Sequence, residues 1–180
     1  MGKKKLILFI AEIAIFTALA LALDFVCNLY LSFSWLEGGS ISIAMVPIFI
    51  MCYRWGPKGG FLTALLTGTI QIFWGYYMHP VQVLLDYTLA YTVCGVASLF
   101  FTLIKNKKGF MRHLYICISI LLGCLLRLAC ATLSGCIFFE VEFIPSVVYN
   151  ATYLIPSAIL CMIICCIVVE SLRDLLYKEF

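Results

Sequence analysis

The sequence predicts an all-α integral membrane protein, a six-transmembrane-helix bundle with N- and C-termini cytoplasmic. Three observations carry that expectation: the apolar share, the length of the apolar runs, and the side on which the bases fall. Hydrophobic residues make up 64% of the 180-residue chain and charged ones only 12%, with a mean hydropathy of +1.10. A soluble domain is about half apolar and about a quarter charged. A spanning helix needs about 20 apolar residues. The runs bounded by Gly, Pro and charge place spans near residues 6–27, 40–53, 59–76, 80–104, 112–138 and 147–170. The links between them are too short for a soluble domain, so residues 1–180 read as a single transmembrane domain.

The first run follows Lys3-Lys4-Lys5, a start that a secretory leader shares. Residues 6–27 are long enough to span and further membrane segments follow, so they read as a retained first helix. Ala14, Ala18 and Ala22 recur on it at helical spacing, a small-residue stripe that lets another helix approach closely. Glu12, near its inner end, either snorkels or meets a partner. The second run is short and holds Pro47, and Arg54 and Lys58 separate it from the third. The fourth, in "HPVQVLLDYTLAYTVCG", carries Asp86 about two turns inside an otherwise neutral helix, where a carboxylate is costly unless it faces a cavity or a partner. An ion pair with Arg127 of the fifth run is its structural alternative. In the sixth run, "VVYNATYLIPS" holds Asn150, an amide that is cheaper to bury and can bond a neighbouring helix for about 0.6 kcal/mol.

Charge placement sets the orientation. With the N-terminus inside and six spans, every Lys and Arg except Arg127 falls on the cytoplasmic side, the positive-inside pattern. The outer side keeps residues 28–40, 76–80 and 139–146. These hold Glu37, Glu140 and Glu142, with Asp24 and Asp86 near the outer helix ends. The aromatics Trp35, Tyr76, Tyr77, Tyr87, Phe138, Phe139 and Tyr149 gather on the same side. An acidic face lined with rings suits a cationic, ring-bearing solute. Taken singly, Trp35, Tyr76 and Tyr77 fit an interfacial aromatic belt better than a binding role.

Several function classes are excluded. The bases give a net charge of +3 but no stripe interleaved with stacking aromatics, so nucleic acid is not a partner. The ten cysteines lie in or beside apolar runs without a CxxC pair and read as small apolar filler. No HExxH, GxSxG, P-loop or paired-acid motif is present, and His79 and His113 fall on opposite sides. No catalytic residue, metal ligand or cofactor is therefore expected. Without a P-loop the chain cannot hydrolyse ATP, so uphill movement of a solute draws its energy from a partner or an ion.

Two blocks, "GGSISIAMVPIFIMCYRWGPKGGFLTALLTG" and "HPVQVLLDYTLAY", closely resemble the thiamine-specific S components of energy-coupling factor (ECF) vitamin transporters. The alanine stripe and "YNATYLIPS" agree with the resemblance. It implies a substrate-capturing subunit in the plasma membrane of a bacterium, working with a transmembrane coupling subunit and two cytoplasmic ATPases. It further implies that the first outer loop acts as a lid, with Trp35 and Glu37 over the solute and Gly38-Gly39 as hinge. Asp86 and Tyr87 match the pair that contacts the aminopyrimidine of thiamine. Asn150, next to Tyr149, matches a residue of the same pocket, and Phe139 matches the ring that faces the thiazolium. Ala14, Ala18 and Ala22 match the face that meets the coupling subunit. The sequence departs from the family at Ala131, where a histidine is usual, at Phe139, where a tryptophan or similar large ring is usual, and in a short loop at 140–146. Capture of another pyrimidine-like or cationic vitamin, and a non-transporting structural role with an internal Asp86–Arg127 pair, are the alternatives.

Overall fold

A computed structural model describes residues 2–30 and 39–177, and every regular element among them is helical. In chain order these are α1 (Lys3–Tyr30), α2 (Met45–Gln71), α3 (Pro80–Asn106), α4 (Phe110–Phe138), α5 (Phe143–Ser171) and the short α6 (Arg173–Leu176). Four of them, α1, α3, α4 and α5, are long and apolar enough to cross a membrane. The expected second and third runs both lie in α2, which is two helical segments meeting at Gly56 (φ 64°, ψ −151°). That backbone geometry is open essentially to glycine alone. Pro57 then begins the second segment, a position where its missing N–H costs nothing. The basic link at 54–58 is thus a sharp bend rather than a loop.

Three expected boundaries are corrected. The second run becomes helical only at Met45, not 40, the chain ahead of it turning where Ala44 N–H donates to Ser42 Oγ at 3.1 Å. The third run stops at Gln71, not 76, because the chain leaves the helix through a turn in which Gly75 N–H reaches Gln71 C=O at 3.0 Å. The sixth starts at Phe143, not 147, because Pro145 sits in the first helical turn, where proline is tolerated, and Ser146 N–H closes on Glu142 C=O at 3.0 Å. The connection from α4 to α5 is accordingly only residues 139–142.

The first segment of α2 is apolar all round and buried all round, from Met45 to Tyr53. Ala97 and Ile104 of α3, Ile116 and Ile120 of α4, and Cys161 and Val169 of α5 close on it. All ten cysteines are free, and Cys52, Cys94, Cys124, Cys161 and Cys165 pack within this core. The α1 helix lies against α2 along one stripe of Ile13, Thr17, Ala20, Asp24 and Cys27, at alternating steps of four and three residues. Ala14, Ala18 and Ala22 are on its other side and exposed.

One end of the bundle is fastened by Arg54. Its Nε and Nη2 each donate to the Glu12 carboxylate at 2.9 Å, and its Nη1 donates to the carbonyls of Leu175 and Leu176, both at 2.6 Å. Trp55 Nε1 donates to the same carboxylate at 2.6 Å, and its ring meets Phe9 edge-on. The bent segment of α2 thereby holds α1 and the C-terminal helix together through charge-assisted bonds. Beside it Arg112, 1% exposed, donates to Lys107 C=O and to Glu170.

Glu12→Ala is expected to lower stability by about 1–3 kcal/mol, since it strips Arg54 and Trp55 of a shared acceptor. Melting of the detergent-solubilised variant reads this, and a curve superimposable on wild type would contradict the clamp. Gly56→Ala puts a side chain at a positive φ and is expected to cost about 1–3 kcal/mol. The nearest neighbour of the new Cβ, Phe101, is at an ordinary 3.5 Å. The loss is therefore one of backbone strain, and repacking by Phe101→Leu does not relieve it in the same melting assay.

Candidate functional site

At the other end of the bundle the polar groups converge. Leaving the turn after α2, the chain enters α3 at Pro80, with His79 Nδ1 accepting from Val81 N–H at 3.2 Å as the cap. Over Leu84–Leu89 the helix widens to π geometry, a local irregularity often found at functional sites. Asp86 and Tyr87 sit inside it, both half-buried. The second segment of α2 runs so close that a Cβ on Gly68 would stand 2.5 Å from Tyr87 C=O, so only glycine allows this crossing.

Both residues are tied to the turn between α2 and α3. Gln82 Nε2 donates to Asp86 Oδ2 at 2.5 Å, while Gln82 Oε1 accepts from Met78 N–H at 3.2 Å. Tyr87 OH accepts from Tyr76 N–H at 2.7 Å. Next to this pair lies a buried polar layer built around Tyr91. The guanidinium carbon of Arg127 stands 3.9 Å from the centre of the Tyr91 ring, a cation–π contact. Tyr91 OH donates to Asp24 Oδ1 at 3.3 Å and accepts from Gln71 Nε2 at 3.0 Å. Asp24 also accepts from Ser42 Oγ at 3.2 Å and from Asn28 Nδ2 at 3.1 Å. Ser42 N–H in turn donates to Ser157 Oγ of α5 at 2.9 Å. Five helices and the segment ahead of α2 thus meet in one network.

The α5 helix completes the wall. Asn150 is buried, donating from Nδ2 to Ser146 C=O at 2.9 Å and accepting at Oδ1 from Tyr153 OH at 2.5 Å. Tyr149 meets the Tyr153 ring edge-on at 6.0 Å. Tyr153 is in electrostatic reach of Arg127, Tyr149, Asp86 and Tyr87, which brings α3, α4 and α5 to a common point. Above them Phe139 lies 6.2 Å from Tyr76, and Phe138 stacks on His79 at 5.2 Å. A carboxylate, phenols, an amide and ring faces at one end can hold an amine-bearing aromatic cation. Among the described residues no three His, Cys, Asp or Glu side chains stand where they could share a metal ion.

Of the residues singled out by sequence, Asp86, Tyr87, Phe139, Tyr149 and Asn150 come to this end. Trp35 and Glu37 lie outside the described residues. Ala14, Ala18 and Ala22 face away from it. The alternative pairing of Asp86 with Arg127 is not formed among the described residues: Gln82 occupies Asp86, and the guanidinium lies on Tyr91 instead. Sequence reasoning missed Gln71, Gln82, Tyr91 and Tyr153, and gave Asp24 no place in the site. Two signals were there to be used. Gln71 and Gln82 are amides at the borders of apolar runs, and Tyr91 follows Tyr87 by one helical turn.

The chain was compared with known proteins. The family described as thiamine transporter protein (Thia_YuaJ) matches residues 10–177. Thiamine transporter ThiT of Bacillus subtilis (strain 168) is 38% identical, over 99% of each chain. A solved structure of ThiT from Listeria monocytogenes superposes with a TM-score of 0.85 at 21% identity, covering 96% of this chain and 98% of the other, a likeness of fold. Matched along nearly its whole length, the chain belongs to the thiamine transporter protein family, as a multi-pass protein of the bacterial plasma membrane that is not an enzyme.

Proposed function

We propose that this chain is the S component of an ECF importer and captures thiamine from outside the cell. The observation that carries this reading is the Asp86–Tyr87 pair on the π-helical turn, facing Asn150 and Tyr153 across a ring-lined end of the bundle. Asp86 accepts from the exocyclic amine of the aminopyrimidine, with Tyr87 and Asn150 completing the polar contacts. Phe139 and Tyr149 offer ring faces to the thiazolium cation. Trp35 and Glu37 belong to the loop that closes over the solute. Six spans with both termini cytoplasmic put this end outside, and Arg54 with the other bases inside. The exposed face of Ala14, Ala18 and Ala22 takes the transmembrane coupling subunit, to which two ATPases supply the energy.

The reading is tested by quenching of intrinsic tryptophan fluorescence on titration with thiamine. Saturable quenching by the wild type is expected. Asp86→Ala is expected to weaken it by about 1–3 kcal/mol, roughly 5- to 150-fold in Kd. Unchanged affinity would remove Asp86 from the site, and no response of the wild type would refute thiamine capture. Ala18→Leu is expected to abolish co-purification with the coupling module while leaving thiamine quenching intact. Loss of both in that variant would point to a folding defect and count against a docking face.

A further inference from the structure

The groups of the polar layer that can carry charge near neutral pH are two carboxyls, Asp24 and Asp86, and one guanidinium, Arg127. Asp24 is 7% exposed and takes no part in the solute contacts above. Its carboxylate lies within hydrogen-bond distance of Ser42 Oγ, Tyr91 OH and Asn28 Nδ2, three groups able to donate to it. Arg127 lies on the ring whose hydroxyl Asp24 holds, and its charge acts on Asp24 and on Asp86 alike. The other titratable groups that share the layer, Tyr87, Tyr91, Tyr153, Cys94 and Cys130, are neutral near pH 7 at their ordinary values. With both acids ionised and Arg127 protonated, the layer carries one net negative charge. A solute with a single positive charge brings it to neutrality, and a solute that also carries a phosphate does not.

We propose that Asp24 is a specificity-determining residue: by balancing Arg127 it leaves Asp86 free to serve the solute, and so fits the site to a monocation over its phosphorylated form. The inference rests on the reading of the site as a thiamine pocket. Asp24 touches no solute atom and acts through Tyr91 and Arg127, so it is a positioning residue. Neutralising it leaves Arg127 opposed by Asp86 alone, which pulls that carboxylate away from the amine it should accept. Charges arranged in this way set specificity more than raw affinity.

The test is a pair of fluorescence titrations of the purified full-length chain, with thiamine and with thiamine monophosphate, on wild type, D24N, D24E and R127Q. The ratio of the two dissociation constants is the readout, because a general loss of packing changes both together. D24N is expected to lose at least tenfold of the preference for thiamine, D24E to keep most of it, and R127Q to raise it. Opposite shifts in D24N and R127Q support the inference. A ratio unchanged in D24N, or shifts in the same direction in both, overturns it. If D24N does not fold, R127Q decides alone: a raised ratio supports the assignment and an unchanged one overturns it. A wild type that binds no thiamine refutes the pocket itself, an outcome distinct from a wild type that binds thiamine while its variants keep the same ratio.

Discussion

Lipid offers no hydrogen bonds, so every polar group in the spanning region has to be satisfied by the protein itself. That constraint explains why charges embedded among the described helices are fastened to partners, Glu12 to Arg54, Glu170 to Arg112, and Asp24, Asp86 and Arg127 within the polar layer. A lone Asp or Arg at mid-helix costs about 2.5–3.5 kcal/mol on insertion scales. Asp24, Asp86 and Arg127 together would be prohibitive if each stood alone. The structure resolves this by sharing. Tyr91 puts its ring under the guanidinium and its hydroxyl on the carboxylate, so one side chain serves both signs of charge. Gln71 then donates to the Tyr91 hydroxyl and Ser42 to Asp24, and each bond draws a further element into the same layer.

The same constraint gives the irregular α3 its meaning. No proline or glycine lies between Val81 and Cys94, so no helix breaker in the sequence forces the π-helical turn. The turn lies where the backbone of α2 at Gly68 runs close against Tyr87 and Thr88. Irregular backbone at membrane depth is tolerated where it is buried in protein or lines a cavity. Here it carries Asp86 and Tyr87, the pair proposed to meet the solute, and Gln82 and Tyr76 brace both against the adjoining turn. Bracing of this kind keeps a binding geometry in place before the solute arrives.

Hydropathy made most of the fold legible, because length and apolarity are what a bilayer selects. The α1, α3 and α4 boundaries fall within three residues of those read from the sequence. The failures are local and have local causes. Residues 54–58 are basic and glycine-containing, which reads as a loop, yet a single residue with positive φ turns the chain without leaving helical hydrogen bonding on either side. Pro145 reads as a breaker but sits where the helix has no N–H to lose. For the site, the carboxylate Asp86 was visible because an acid in an apolar run is conspicuous. Tyr91 and Tyr153 were not, because a tyrosine in such a run looks like any other ring. Periodicity cannot say that a hydroxyl has a carboxylate or an amide to meet. The contact of Arg127 with a ring, in place of an acid, lay beyond pairing rules based on charge alone.

The arrangement of α1 follows from two of these fastenings. Its core-facing stripe is narrow, and its two acidic residues are secured at separate points, Glu12 by Arg54 and Trp55 and Asp24 by Ser42 and Tyr91. The rise of an α-helix, about 1.5 Å per residue, separates those anchors by about 18 Å. Between them the helix shows Ala14, Ala18 and Ala22 on the side away from the bundle. A helix anchored at two points does not need that middle face for its own stability. Bulk added there disturbs neither anchor, and effects at well-separated sites combine almost independently. The alanine face of α1 and the polar layer at the Asp86 end are thus physically separable, although one helix contributes to both.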